Sequence, residues 1–177
     1  MITENPRMSN NESAAEGNRQ AAIEWIDAFN AGDDQREAAS RTRDYIAHTP
    51  VSLGTAPLDS DAWVEFLAVF RKGFPDLHLE VVDTSADEHM VAQRIEFSGT
   101  HSGTFRGLSP TNRKVRFGGI EINRMVEGNV AEHWFQFDAV TLFEQLGLTV
   151  VPGPRLLIRI LAHQVKKLGS RVSRRAR

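Results

Sequence analysis

The chain has no cysteine and a single tyrosine among its 177 residues. The absence of cysteine excludes disulfides, thiolate metal sites, a cysteine nucleophile and cysteine redox regulation, and it fits a reducing compartment. No run of about 18 apolar residues occurs, so nothing reads as a membrane span. The polar residues 1–20 lack the apolar stretch of a secretory signal, and the expected localisation is cytoplasmic. Acidic residues are missing from the end of the chain: all 23 lie at or before Glu144, whereas residues 151–177 hold eight Lys or Arg. An acidic body without a basic stripe argues against nucleic-acid binding and leaves the basic tail to be read separately.

What is present suits one domain with a tail at each end. Residues 1–17, rich in Asn, Ser and Glu, are expected to be disordered. A domain is expected over 18–150 and a basic amphipathic tail over 151–177. Ala22, Ile23, Trp25, Ile26 and Phe29 follow helical spacing and stop at Gly32, so a first helix begins near Arg19 with Trp25 and Phe29 on its inner face. A weaker helix covers 34–42. A third, over 60–70, presents Trp63, Phe66, Leu67 and Phe70 and closes at Gly73 and Pro75. Four strands follow, over 77–85, 89–100, 114–126 and 129–138, separated by turn signals, and a short helix ends at Gly147. Helices followed by a run of strands give the α+β pattern.

The last strand carries the most informative residue. Glu132, Trp134, Gln136 and Asp138 share one parity, and His133, Phe135 and Phe137 share the other. Asp138 is expected to be a buried carboxylate lining a cavity, where burial would raise its pKa toward a useful range. The alternative is that it caps the helix starting at Ala139. On the opposite parity, His133, Phe135 and Phe137 suggest an apolar sheet exterior and a homodimer through that face.

Several blocks then resemble the SnoaL-like polyketide (ester) cyclases of the nuclear-transport-factor-2-like superfamily. They are Tyr45 through Pro50; Phe74, Pro75, Asp76 and Leu77; Gly99 through Gly103 with Phe105 and Gly107; Pro110 and Thr111; Glu132, Trp134 and Asp138; and Gln145, Leu146 and Gly147. The resemblance covers roughly residues 19–148. It implies a cone-shaped α+β barrel, with three N-terminal helices packed in a curved, mainly antiparallel sheet. It also implies a cofactor-independent and metal-free intramolecular aldol ring closure of a polyketide in secondary metabolism. Asp138 would be the general acid/base, with His101 and His48 in the same cavity, Trp134 as a flat wall and Gln136 as a carbonyl partner. Trp63 and Phe29 from the helices and Arg94 from the second strand complete the expected substrate-binding set.

Such chemistry needs little: a methylene flanked by carbonyls is acidic enough for one positioned carboxylate, provided a donor stabilises the enolate and the cavity folds the chain. Thr49 stands where related steroid isomerases place their base, so that mechanism is not expected. Hydroxylation, epoxide opening with Arg94, and ligand binding without chemistry remain as alternatives. Asn112 stands where family members commonly have Gly, a substitution the turn tolerates. In the tail, Leu156, Leu157, Ile160, Leu161 and Leu168 at helical spacing among basic residues suggest a helix packed on the acidic body or a sister subunit. An anionic membrane surface is the other reading.

Overall fold

The computed structural model describes residues 6–50, 56–149 and 153, with the backbone alone for residues 6–10. The chain divides into two units, residues 1–146 and 147–177. Of the second, Gly147, Leu148, Thr149 and Gly153 are described. The expected amphipathic helix of the tail lies outside the described residues.

Helix α1 spans Pro6–Ala31. It begins well before Arg19, so most of the segment expected to be disordered is helical. The physical reason is local: proline suits a first helical turn, and no breaker other than Gly17 separates it from the amphipathic stretch. Gly32 at φ 68° ends the helix, with the Asp33 N–H reaching the Ala28 carbonyl at 3.0 Å and the Gly32 N–H reaching that of Phe29 at 3.0 Å. Helix α2, Asp34–Ala39, is capped by Asp33, and α3, Ser60–Gly73, by Asp59.

The strands are β1 Arg41–His48, β2 His78–Ala86, β3 Met90–Thr100, β4 Lys114–Val126 and β5 Asn129–Phe137, followed by helix α4, Ala139–Gln145. They form one curved, open sheet in the order β1-β5-β4-β3-β2. It is mixed, because β1 runs parallel to β5 while the other neighbours are antiparallel. The α+β class and the helices packed on a curved, mainly antiparallel sheet are as expected, and the sheet is open. Strand β1 replaces the end of the expected second helix and the bend at His48. Its polar start, Arg41 through Asp44, hides a strand whose extended form depends on pairing with β5.

The sheet has a buried inner face and a solvent-facing outer face. Trp25, Ile26 and Phe29 of α1 and Trp63 and Phe70 of α3 pack with Val91, Ile95 and Phe97 of β3, Val115 and Phe117 of β4, and Phe135 and Phe137 of β5. Gly103 is required where its loop crosses the end of α3, since a Cβ there would lie 1.8 Å from the Lys72 carbonyl oxygen. Asn112 adopts φ 55°, the conformation expected of it.

Candidate active site

Strand alternation puts four polar side chains on the buried inner face. Gln93 of β3, Glu121 and Asn123 of β4 and His133 of β5 are each at most 2% exposed. Gln93 pairs with Glu121 in the β3–β4 register, and Asn123 with His133 in that of β4–β5, so the four are neighbours on three adjacent strands. From β1, Ala47 pairs with His133, and Tyr45 reaches the same imidazole.

The buried Tyr45 hydroxyl lies 3.2 Å from His133 Nδ1. Burial pushes the phenol far above its ordinary range, so it keeps its proton and has one to donate. With Tyr45 as the donor, the imidazole carries its proton on Nε2. Nε2 then lies 3.3 Å from Glu121 Oε2, but without hydrogen-bond alignment, so the contact is an electrostatic one. Trp25 and Trp63 stand edge-on to the imidazole, with ring centroids 4.9 and 5.0 Å away.

Glu121 and His133 open onto an apolar cavity between the helices and the sheet, walled by Trp25, Phe29, Trp63, Phe66 and Phe135. Its free volume is about 40 Å³, room for about three waters at roughly 10–15 Å³ each. A second buried carboxylate lies at its edge. Glu37 accepts the indole N–H groups of Trp25 at 2.8 Å and Trp63 at 3.1 Å, and it pairs with Arg41 at 3.0 Å. With its oxygens taken, Glu37 joins α1, α2, α3 and β1 and serves the frame. Among the described residues, no group of three or more His, Asp or Glu is placed to hold a metal ion.

The expected site residues separate into several places. Phe29 and Trp63 line the cavity. On β5 the parity grouping is right but the faces are reversed: His133, Phe135 and Phe137 are buried, while Glu132 and Trp134 are half-buried and Gln136 and Asp138 exposed on the outer face. The homodimer expected through His133, Phe135 and Phe137 is therefore excluded, because those side chains are the protein's own core. Asp138 caps α4, accepting the Thr141 N–H at 2.9 Å and its hydroxyl at 2.6 Å. These bonds hold its carboxyl below the usual range, the opposite of the expected rise. Arg94, Gln136 and Asp138 share a shallow outer groove with Val82 and Ile120.

His48 is also on the outer face, stacked on Trp134 with centroids 5.3 Å apart. It contacts Glu132 at 2.9 Å, and Glu132 also accepts from Arg124 at 3.1 Å. His101 is fully buried in the loop after β3. Its Nδ1 takes the Thr111 N–H at 3.2 Å, and its ring lies against Phe74. Burial pushes its pKa below the ordinary imidazole range, and it does not line the cavity.

The sequence reading missed Glu121, His133, Tyr45, Gln93 and Asn123. On β4, Val115 and Phe117 occupy one parity and Ile120 and Ile122 the other, with Gly118 and Gly119 between. Alternation alone therefore does not say which face Glu121 joins.

No curated protein matches the chain. Among solved structures it is similar to AclR from Streptomyces galilaeus, a candidate hydroxylase, at 29% identity over 87% of this chain and 95% of that one, with a TM-score of 0.69. It is likewise similar to IdmH from Streptomyces antibioticus, a candidate polyketide cyclase, at 30% identity over 74% of this chain and 99% of that one, with a TM-score of 0.68. A candidate SnoaL-like polyketide cyclase from Jannaschia shares the fold at 17% identity, covering 77% and 95% of the two chains, with a TM-score of 0.69. The profile of SnoaL-like polyketide cyclases matches residues 20–146, and this chain, with its α+β fold and buried pocket, belongs to that family.

Proposed function

We propose that the inner pocket catalyses proton transfer at a carbon beside a carbonyl in an apolar polycarbonyl compound such as a polyketide, closing a ring by aldol addition. Glu121 takes the proton from the methylene; the enolate carbon attacks a second carbonyl of the same molecule; the resulting alkoxide recovers a proton from the protonated Glu121. The His133 Nε2–H, oriented by Tyr45, stabilises the negative charge on oxygen, and the aromatic walls hold the chain in its folded geometry. The observation that carries this reading is a carboxylate only 2% exposed, 3.3 Å from an imidazole held by the Tyr45 hydroxyl in an apolar cavity. The balance closes without a cofactor. Substrate entry requires α1 or α3 to give way, because the cavity at about 40 Å³ holds only water-sized groups.

The family and the likeness to IdmH support cyclisation; the likeness to AclR makes hydroxylation the second reading. The deciding experiment follows turnover of a panel of polyketide esters by mass spectrometry for wild type, Glu121→Gln, His133→Asn and Asp138→Asn. Mass-neutral ring closure that drops about 10²–10⁴-fold in the first two variants and persists in Asp138→Asn supports the inner site. Loss confined to Asp138→Asn moves the chemistry to the outer groove. A mass gain of one oxygen supports hydroxylation.

We also infer that two copies pair through the outer face of the sheet. Ile46, Ile120, Ile122 and Val82 are each at least 38% exposed there, flanked by the Arg116–Glu96 and Arg124–Glu132 pairs, so the face offers both charge signs to a copy of itself.

A further inference from the structure

The inner polar row holds more hydrogen-bonding capacity than its protein partners use. Both amide atoms of Gln93 and the side-chain oxygen of Asn123 are buried and unpartnered. The one bond between Asn123 and Glu121, from Nδ2 to Oε1, is stretched to 3.5 Å. Gln93 and Asn123 are 1% and 0% exposed. An unpaired buried polar group is costly, and native interiors satisfy such groups with ordered water where several polar partners converge.

We propose that Gln93, Glu121 and Asn123 together form a binding site for one internal water that positions the Glu121 carboxylate. The water accepts a hydrogen bond from Gln93 Nε2 and donates to a Glu121 oxygen and to Asn123 Oδ1. Its register position, opposite Glu121 across β3–β4, makes Gln93 the gatekeeper of this site. Gln93 is a positioning residue: it acts on the reacting carboxylate through the water. The site rests on the reading of Glu121 as the base, which it deepens.

Among the described residues, the ionisable groups that face this carboxylate or share its cavity are His133 of β5, Tyr45 of β1 and Glu37 of α2, the last paired with Arg41; β3 contributes the neutral Gln93. A donated hydrogen bond favours the charged carboxylate. Losing the water therefore removes a hydrogen bond that holds the Glu121 carboxylate in place.

The test uses the full chain and Gln93→Met, a near-isosteric change that removes both hydrogen-bonding atoms. Crystal structures of the wild type and of Gln93→Met are taken at a resolution that shows ordered water, and kcat and KM are measured for both. The expected result is a water within hydrogen-bond distance of Gln93 and Glu121 in the wild type, its loss in Gln93→Met with a turned Glu121 carboxylate, and a kcat lower by roughly ten- to a hundredfold at unchanged KM. A wild-type Gln93 bonded directly to protein with no water between, or a Glu121 carboxylate that keeps its orientation in Gln93→Met, overturns the proposal. The structures do not depend on turnover. If Glu121→Gln keeps full activity while the wild type holds the water, the catalytic reading fails and the water site stands.

Discussion

A carboxylate's surroundings matter more than its presence, and the two strand acids illustrate this. Asp138 points outward, takes two bonds from Thr141 and is held below the ordinary carboxylate range. Its bonds to Thr141 therefore stabilise the fold fully above about pH 4, and that contribution is lost as pH falls through its depressed folded value. Asp138→Ala is expected to lower the thermal midpoint at pH 7, with a difference from wild type that shrinks toward pH 3; an equal difference at both pH values would show that the charge is not involved. Tyr45→Phe removes the donor to a buried imidazole nitrogen. It is expected to cost about 1–3 kcal/mol in urea unfolding, and a neutral result would mean that His133 finds another donor. Asp138 was recognisable as a cap from Asp followed by a helical run; that Glu121 is the buried acid was not, because apolar residues occupy both parities of β4.

Among the elements, α2 is short yet central. Glu37 ties it to Trp25 of α1, Trp63 of α3 and Arg41 of β1, all buried. Glu37→Leu strands the Arg41 guanidinium, whose side chain is 1% exposed, and leaves two indole N–H groups unpaired. The expected loss is about 3–5 kcal/mol by chemical denaturation, whereas a change below about 1 kcal/mol would mean that Arg41 swings to water. The β4–β5 turn has room for improvement. Glu127 adopts φ 51° before Gly128 at φ 76°, a pairing that Asn-Gly fits better. Glu127→Asn is expected to gain up to about 1 kcal/mol, read as a raised denaturation midpoint. The helices and four antiparallel strands follow from periodicity and punctuation, since their signals are local. β1 does not, because its parallel partner β5 lies some 85 residues further along the chain.

For the molecule as a whole, the outer sheet face predicts self-association. Ile120, 56% exposed at the middle of that face, is the test position: Ile120→Glu is expected to turn a dimer into a monomer in light scattering at micromolar concentration. A wild type that is already monomeric would refute the pairing. No helix among the described residues is long and apolar enough to cross a membrane. The amino-acid sequence by itself determined the α+β class, the family, and which residues of β5 share a face, because these depend on local spacing and on motifs in order. Only the tertiary structure decided which of the two faces is inside. That choice rests on the wrapping of α1 and α3 over the sheet: Trp25 and Trp63 must be buried, and they pack against His133 and Phe135 rather than Trp134 and Gln136. The same closure brings Glu121 and His133 together from different strands and leaves Asp138 outside.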